Sequence, residues 1–212
     1  MYVNLLIVGK TGVGKTRFRL ASVGQGGSRK ASKPTIGVDY STTKLSPAAT
    51  SSKVDLTLIE VSGNPLYRHL LPLYSQITDI CVLLFDLKKH DTLDDLIDLA
   101  KVVQSNSKRE IPFVLYGIGN REEGELDQGA LKLLEQVEGF VDRADFVVGP
   151  TFDHVESAMS EIIWKHIKDG TIVASDRKTM VQTEVSEEED AREKLLGTLK
   201  DWFQSTRRQN KE

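Results

Sequence analysis

The chain has 212 residues, 28 of them basic and 31 acidic, for a net charge of -3, and 39% are hydrophobic. That balance is enough for a buried core and argues against nucleic-acid binding, which needs a basic excess. The one cysteine, Cys81, excludes an internal disulfide, a Cys-x-x-Cys redox pair and a cysteine-built zinc site, and its distance from both ends leads us to expect no prenyl anchor. No apolar run approaches the ~20 residues of a membrane span, so a soluble intracellular protein is expected.

In chain order, Tyr2 to Val8 is a short apolar run that stops at Gly9, the pattern of a buried strand. Gly9 to Thr16 is glycine-rich, and Arg17 to Val23 can follow as a helix. Val38 to Leu45 and Lys53 to Val61 alternate as paired strands do, with the polar segment 46–52 turning between them. Leu66, Tyr67, Leu70, Leu73 and Tyr74 recur at helical spacing, which suits either core packing or an exposed docking face. Asp79 to Asp86 is continuously apolar between its end carboxylates, as central strands are. A helix is predicted over Thr92 to Gln104, a strand over Ile111 to Tyr116 and a helix around Leu131, Leu134, Val137 and Phe140. A last strand, Asp145 to Val148, precedes a helix marked by Val155, Met159, Ile162, Ile163 and Ile167 that ends near Gly170. Six strands interleaved with helices predict an α/β fold: a mostly parallel six-stranded sheet with helices on both faces.

Past Gly170 the pattern changes. Residues 171–185 are polar and aperiodic, which predicts a linker. Ser186-Glu187-Glu188-Glu189 fits a capping box, and Leu195, Leu196, Leu199, Trp202 and Phe203 form one apolar stripe behind it. The expected organisation is therefore a domain over 1–170, a linker over 171–185 and an amphipathic C-terminal helix and tail over 186–212. That helix folds back on the domain or docks a partner helix.

Gly9-Lys10-Thr11-Gly12-Val13-Gly14-Lys15-Thr16 matches G-x-x-x-x-G-K-[ST], with a strand before it and a helix after it. Backbone N–H groups at Gly12, Val13 and Gly14 can turn inward around a polyphosphate. Lys15 supplies a point charge, the Thr16 hydroxyl can ligate Mg²⁺, and the helix aims its positive end at the anion. The fold expectation is thereby narrowed to a P-loop NTPase.

Two further landmarks follow: Lys33-Pro34-Thr35-Ile36-Gly37-Val38-Asp39-Tyr40, and Ile59-Glu60-Val61-Ser62-Gly63-Asn64. With them the chain resembles a Ras-superfamily small GTPase over about residues 2–168, and Pro-Thr-Ile-Gly-Val-Asp looks most like the Rab branch. The resemblance implies GTP/GDP and Mg²⁺ as cofactors. It also implies that Thr35 and Gly63 close on the γ-phosphate, that Thr35 joins Thr16 on the metal, and that Glu60 holds the metal through a water. Two such loops order on the triphosphate and relax after hydrolysis.

The departures from the family matter as much. Asp-x-x-Gly is here Glu60-Val61-Ser62-Gly63, one methylene longer. The glutamine that orients attacking water is replaced by Asn64, which Pro65 restricts to extended conformations. Positioning that water is most of what catalysis requires, so slow hydrolysis is expected, with Asn64 a weak substitute for the catalytic glutamine. The guanine-reading Asn-Lys-x-Asp matches only with a two-residue shift, as Asn120-Arg121-Glu122-Glu123. Asn120, Arg121 and Glu123 would then read the base, or the segment is an exposed charged loop. Ser-Ala-Lys corresponds to Gly149-Pro150-Thr151, leaving a backbone N–H at Thr151.

The expected lack of a lipid site, the altered base motif, the missing glutamine and a charged tail expected to be helical make the chain look most like the atypical Rab-like subunit of the intraflagellar transport complex. This implies a protein of the cytoplasm, the cilium or flagellum and its base. It would bind a coiled-coil pair of that complex, with no nucleic-acid partner and no direct lipid anchor. The alternatives are a constitutive structural subunit in which nucleotide only stabilises the fold, and a P-loop enzyme of adenine nucleotides.

Overall fold

The computed structural model describes residues 1–25, 34–46, 53–119, 144–149, 152 and 154–173. The chain separates into two units, Met1–Arg177 and Lys178–Glu212, and every described residue belongs to the first. The helix expected around Leu131 to Phe140, the linker beyond residue 173 and the C-terminal helical extension lie outside the described residues.

The apolar runs become strands β1 (Tyr2–Val8), β3 (Val54–Val61), β4 (Ile80–Asp86) and β5 (Phe113–Ile118). Together with β2 (Val38–Leu45) and β6 (Ala144–Gly149) they form one six-stranded sheet in the order β2-β3-β1-β4-β5-β6. Only β2 runs antiparallel, paired with β3; the other neighbours are parallel. In β1 every residue after Tyr2 is buried, so apolar cover is needed on both faces of the strand.

On one face Leu5, Ile7, Leu58, Val82 and Leu84 pack with Phe18 of α1 (Lys15–Ser22) and with Val155, Met159 and Ile163 of α4 (Val155–Lys168). Phe18 is fully buried and meets Tyr116 edge-on at a centroid distance of 5.0 Å. The alternate strand positions, such as Leu6 and Cys81, face the other way, where α2 (Leu71–Ser75) and α3 (Leu96–Asn106) pack.

Several element boundaries depart from the sequence expectation, and four of the departures have a local physical reason. Helix α1 starts at Lys15 rather than Arg17, because Gly14 at φ +97° makes the turn that admits it. Strand β5 starts at Phe113: Pro112 has no N–H to give, although its carbonyl still accepts from Cys81 N at 3.0 Å. Helix α3 waits until Leu96, since Thr92 is engaged in a 3-10 turn and donates its hydroxyl to Lys89 O at 2.6 Å. The stretch after Gly63 is not one helix but a 3-10 turn, Pro65–Leu70, followed by α2, with Pro72 at the start of the second piece.

That last break changes which side chains face the core. Leu71 and Ser75 are buried, whereas Leu66 is 75% and Leu73 59% exposed and Tyr67, Leu70 and Tyr74 are half-buried. Of the two readings of those five residues, core packing fails for Leu66 and Leu73, which take the exposed alternative, and Tyr67, Leu70 and Tyr74 lie between the two.

Candidate functional site

The parallel strands β1 and β3 end side by side, and the loop after each meets the N-terminus of α1. A cavity of about 830 Å³ opens there, lined by residues 11–17, by Thr35, Glu60, Gly63 and Asn64, and by Ile118 and Phe152. That volume lies within the range of small-molecule sites.

Lys15 forms its floor. The side chain is buried and donates to Gly9 O and Lys10 O, both at 2.9 Å. Burial disfavours its charge and pushes its pKa down to about 8, while the Glu60 carboxylate acts in the opposite direction. Gly63 lies directly against this floor: a methyl group there would stand 2.5 Å from Thr11 N and 2.6 Å from Lys15 Nζ. Gly14 is constrained in the same way by a ring, with a methyl group falling 2.9 Å from Phe152 Cζ.

Three oxygen-bearing side chains converge beside Lys15. Thr16 donates its hydroxyl to Glu60 Oε1 at 2.7 Å and Thr35 donates to the same oxygen at 2.8 Å; the two hydroxyls are 3.2 Å apart. Glu60 is 1% exposed at the end of β3. Two hydroxyls and one carboxylate make a hard-oxygen donor set, which suits Mg²⁺ when substrate phosphates complete the shell. The extra methylene of Glu60 therefore does not keep its carboxylate from the two threonines.

Asn64 lies at the mouth of the cavity, exposed and extended at φ -73°, ψ 127°. The conformation agrees with the restriction imposed by Pro65. Its Oδ1 accepts from Leu66 N at 3.0 Å, so the carboxamide caps the following 3-10 turn.

The Ras family pattern matches residues 4–131 of the chain. This protein belongs to the Ras family. It is 25% identical to the Ras-related protein RABC2a of Arabidopsis thaliana over 126 residues, which is 59% of this chain and 58% of that relative. It is 29% identical to the Ras-related protein Rab-7B of Dictyostelium discoideum over 119 residues, 54% of this chain and 56% of that relative. The chain thus spans little more than half the length of these curated relatives.

Ras-family GTPases bind GTP or GDP with Mg²⁺, and the positions expected from the sequence to meet phosphate and metal come together in one cavity. Gly12, Val13, Gly14, Lys15, Thr16, Thr35, Glu60, Gly63 and Asn64 all line it. The base-reading positions Asn120, Arg121, Glu123 and Thr151 lie outside the described residues.

Phe152 and Arg19 are among the contributors that were not foreseen. Phe152 lines the cavity with Arg17 at 5.0 Å over its ring. Arg19 is buried on α1 and donates its Nε to Glu60 Oε2 at 3.0 Å. A glutamate inside the apolar run Leu58-Ile59-Glu60-Val61 was the available signal, since a buried carboxylate requires a partner.

Proposed function

We propose that this chain is an atypical Rab-like GTP-binding protein that hydrolyses GTP slowly and serves as a switch or subunit in intraflagellar transport. The observation that carries the nucleotide part is the convergence of Thr16, Thr35 and Glu60 beside the buried Lys15. Bound there, Mg²⁺ would neutralise phosphate charge. Lys15 supplies a partly desolvated cation, and exchanging two backbone carbonyls for an anion strengthens its interaction. Gly63 can approach the phosphate loop because it has no side chain.

Slow hydrolysis is supported by the use of Asn64. Its carboxamide oxygen caps the 3-10 turn, and Pro65 holds the residue extended, so little freedom is left for orienting a water. Purifying the protein, releasing its nucleotide and identifying it tests the binding. Single-turnover GTP hydrolysis at the rate of an ordinary small GTPase would refute the kinetic half, and equal competition by ATP would refute guanine preference. Membership of the Ras family counts against the adenine-nucleotide enzyme.

A protein partner is supported by the apolar side chains Ile36, Leu66 and Leu73, which are 80%, 75% and 59% exposed. The ciliary reading and its coiled-coil partner rest on the departures at Glu60, Asn64 and residues 120–123 and on the apolar stripe of the charged tail. Co-purification with a ciliary coiled-coil pair, and fluorescence at the cilium and its base, are the outcomes expected. The constitutive-subunit reading is favoured by the Thr35–Glu60 bond, which ties the two segments through protein groups. Equal partner affinity in GDP and GTP would select it, because a ligand shifts an equilibrium only through differential affinity.

A further inference from the structure

All three guanidinium nitrogens of Arg19 are engaged. Nε donates to Glu60 Oε2 at 3.0 Å, one terminal nitrogen donates to Tyr40 O at 3.1 Å and to Ser41 Oγ, and the other meets the Asp39 carboxylate. Its side chain is 6% exposed and that of Glu60 1%. The two oxygens of Glu60 are thereby divided: Oε2 belongs to Arg19, and Oε1 faces Thr16 and Thr35.

A glutamate has one more rotatable bond than an aspartate, so a metal-facing carboxylate at this position needs something to hold it. A planar fork that grips the carboxylate on one side and strand β2 on the other does this, and a lysine could not. We propose that Arg19 is a positioning residue of the metal site: it fixes Glu60 so that Oε1 is presented with the Thr16 and Thr35 hydroxyls to Mg²⁺. Because its other anchors are Asp39, Tyr40 and Ser41, it also ties that carboxylate to the strand that follows Thr35. The inference rests on the magnesium–nucleotide reading above.

The test is the release rate of fluorescent GDP from the full chain, measured in EDTA and across a range of free Mg²⁺. The wild-type protein should release more slowly as Mg²⁺ saturates. In Arg19→Met the half-saturating Mg²⁺ should rise by about 10–100-fold, the usual cost of removing a group that orients a metal ligand. Its release rate in EDTA should change far less. Arg19→Lys, with a charge but no fork, should fall between the two.

An unchanged Mg²⁺ requirement in Arg19→Met overturns the proposal, as does release accelerated equally with and without Mg²⁺, which would mark Arg19 as merely structural. A wild-type protein whose release ignores Mg²⁺ instead sinks the magnesium reading itself. If Arg19→Met does not fold, Asp39→Asn combined with Ser41→Ala removes two anchors and leaves the buried pair intact. Its Mg²⁺ requirement should rise by roughly threefold, and no rise overturns the proposal.

Discussion

The two sides of the cavity are built differently. On the metal side, Lys15, Glu60 and Arg19 are each buried, and Glu60 bonds two threonines with one oxygen and an arginine with the other. On the side where water would be oriented, Asn64 is exposed and its carboxamide is committed to a turn. Burial raises the cost of any misplaced polar group, so the metal side holds one arrangement. An exposed amide faces no such penalty and is not held for chemistry. The contrast is the one expected of the slow GTP-binding protein proposed above, which would bind more than it turns over.

The largest expected effect is on the buried side. Lys15→Ala removes a buried ammonium from the cavity floor, and charged hydrogen bonds contribute about 1.5–3 kcal/mol each. Guanine-nucleotide affinity should fall by roughly 100-fold by titration calorimetry. A loss under threefold would mean that the floor does not carry the phosphate charge.

Gly63→Ala tests the closeness of the second loop to that floor. The added methyl would stand 2.5 Å from Thr11 N and 2.6 Å from Lys10 C, both backbone atoms. Overpacking of this kind costs about 1–3 kcal/mol, so the thermal midpoint should drop by several degrees. An unchanged midpoint would show that the loop moves aside freely.

Protonation of Lys15 gives a third comparison. Burial lowers its pKa to about 8 in the free protein, below the 10.5 of an exposed lysine. An anion bound beside it favours the charged form and raises the pKa again, so binding takes up a proton above pH 8. Affinity should therefore be flat below pH 8 and fall above it by up to about tenfold per pH unit. Stability of the free protein runs the other way. Between pH 8 and 10.5 the unfolded chain binds the proton and the folded chain does not, so stability rises with pH in that window. Equal affinity at pH 7 and pH 9.5 would contradict the lowered pKa.

The sheet was legible because run length and alternation report burial directly: β1 and β2 have the bounds their patterns predict. The phosphate loop was legible because its spacing is its mechanism. Boundaries that depend on a single N–H, at Pro112 and Pro72, were read through as continuous elements, and the second shifted the helical phase from Leu70 and Leu73 to Leu71. Arg19 could not be found by spacing, since its partner Glu60 is 41 positions away and joins it only when β3 is laid beside β1. Local pattern reveals which residues are buried, whereas the pairing of buried charges is decided by topology.

The smallest expected effect sharpens the comparison most. If Asn64 is a capping residue, Asn64→Ala should remove the bond from Leu66 N and cost about 0.5–1 kcal/mol of stability. Single-turnover GTP hydrolysis should then change by less than about threefold, since no water-orienting group has been lost. If Asn64 instead acts on the attacking water, the same substitution should slow hydrolysis by about 10²-fold or more and leave stability nearly unchanged. Melting and single-turnover rates on one variant therefore separate the two roles. A large rate loss with no change in stability would move Asn64 to the chemical side of the cavity and remove the contrast between its two halves.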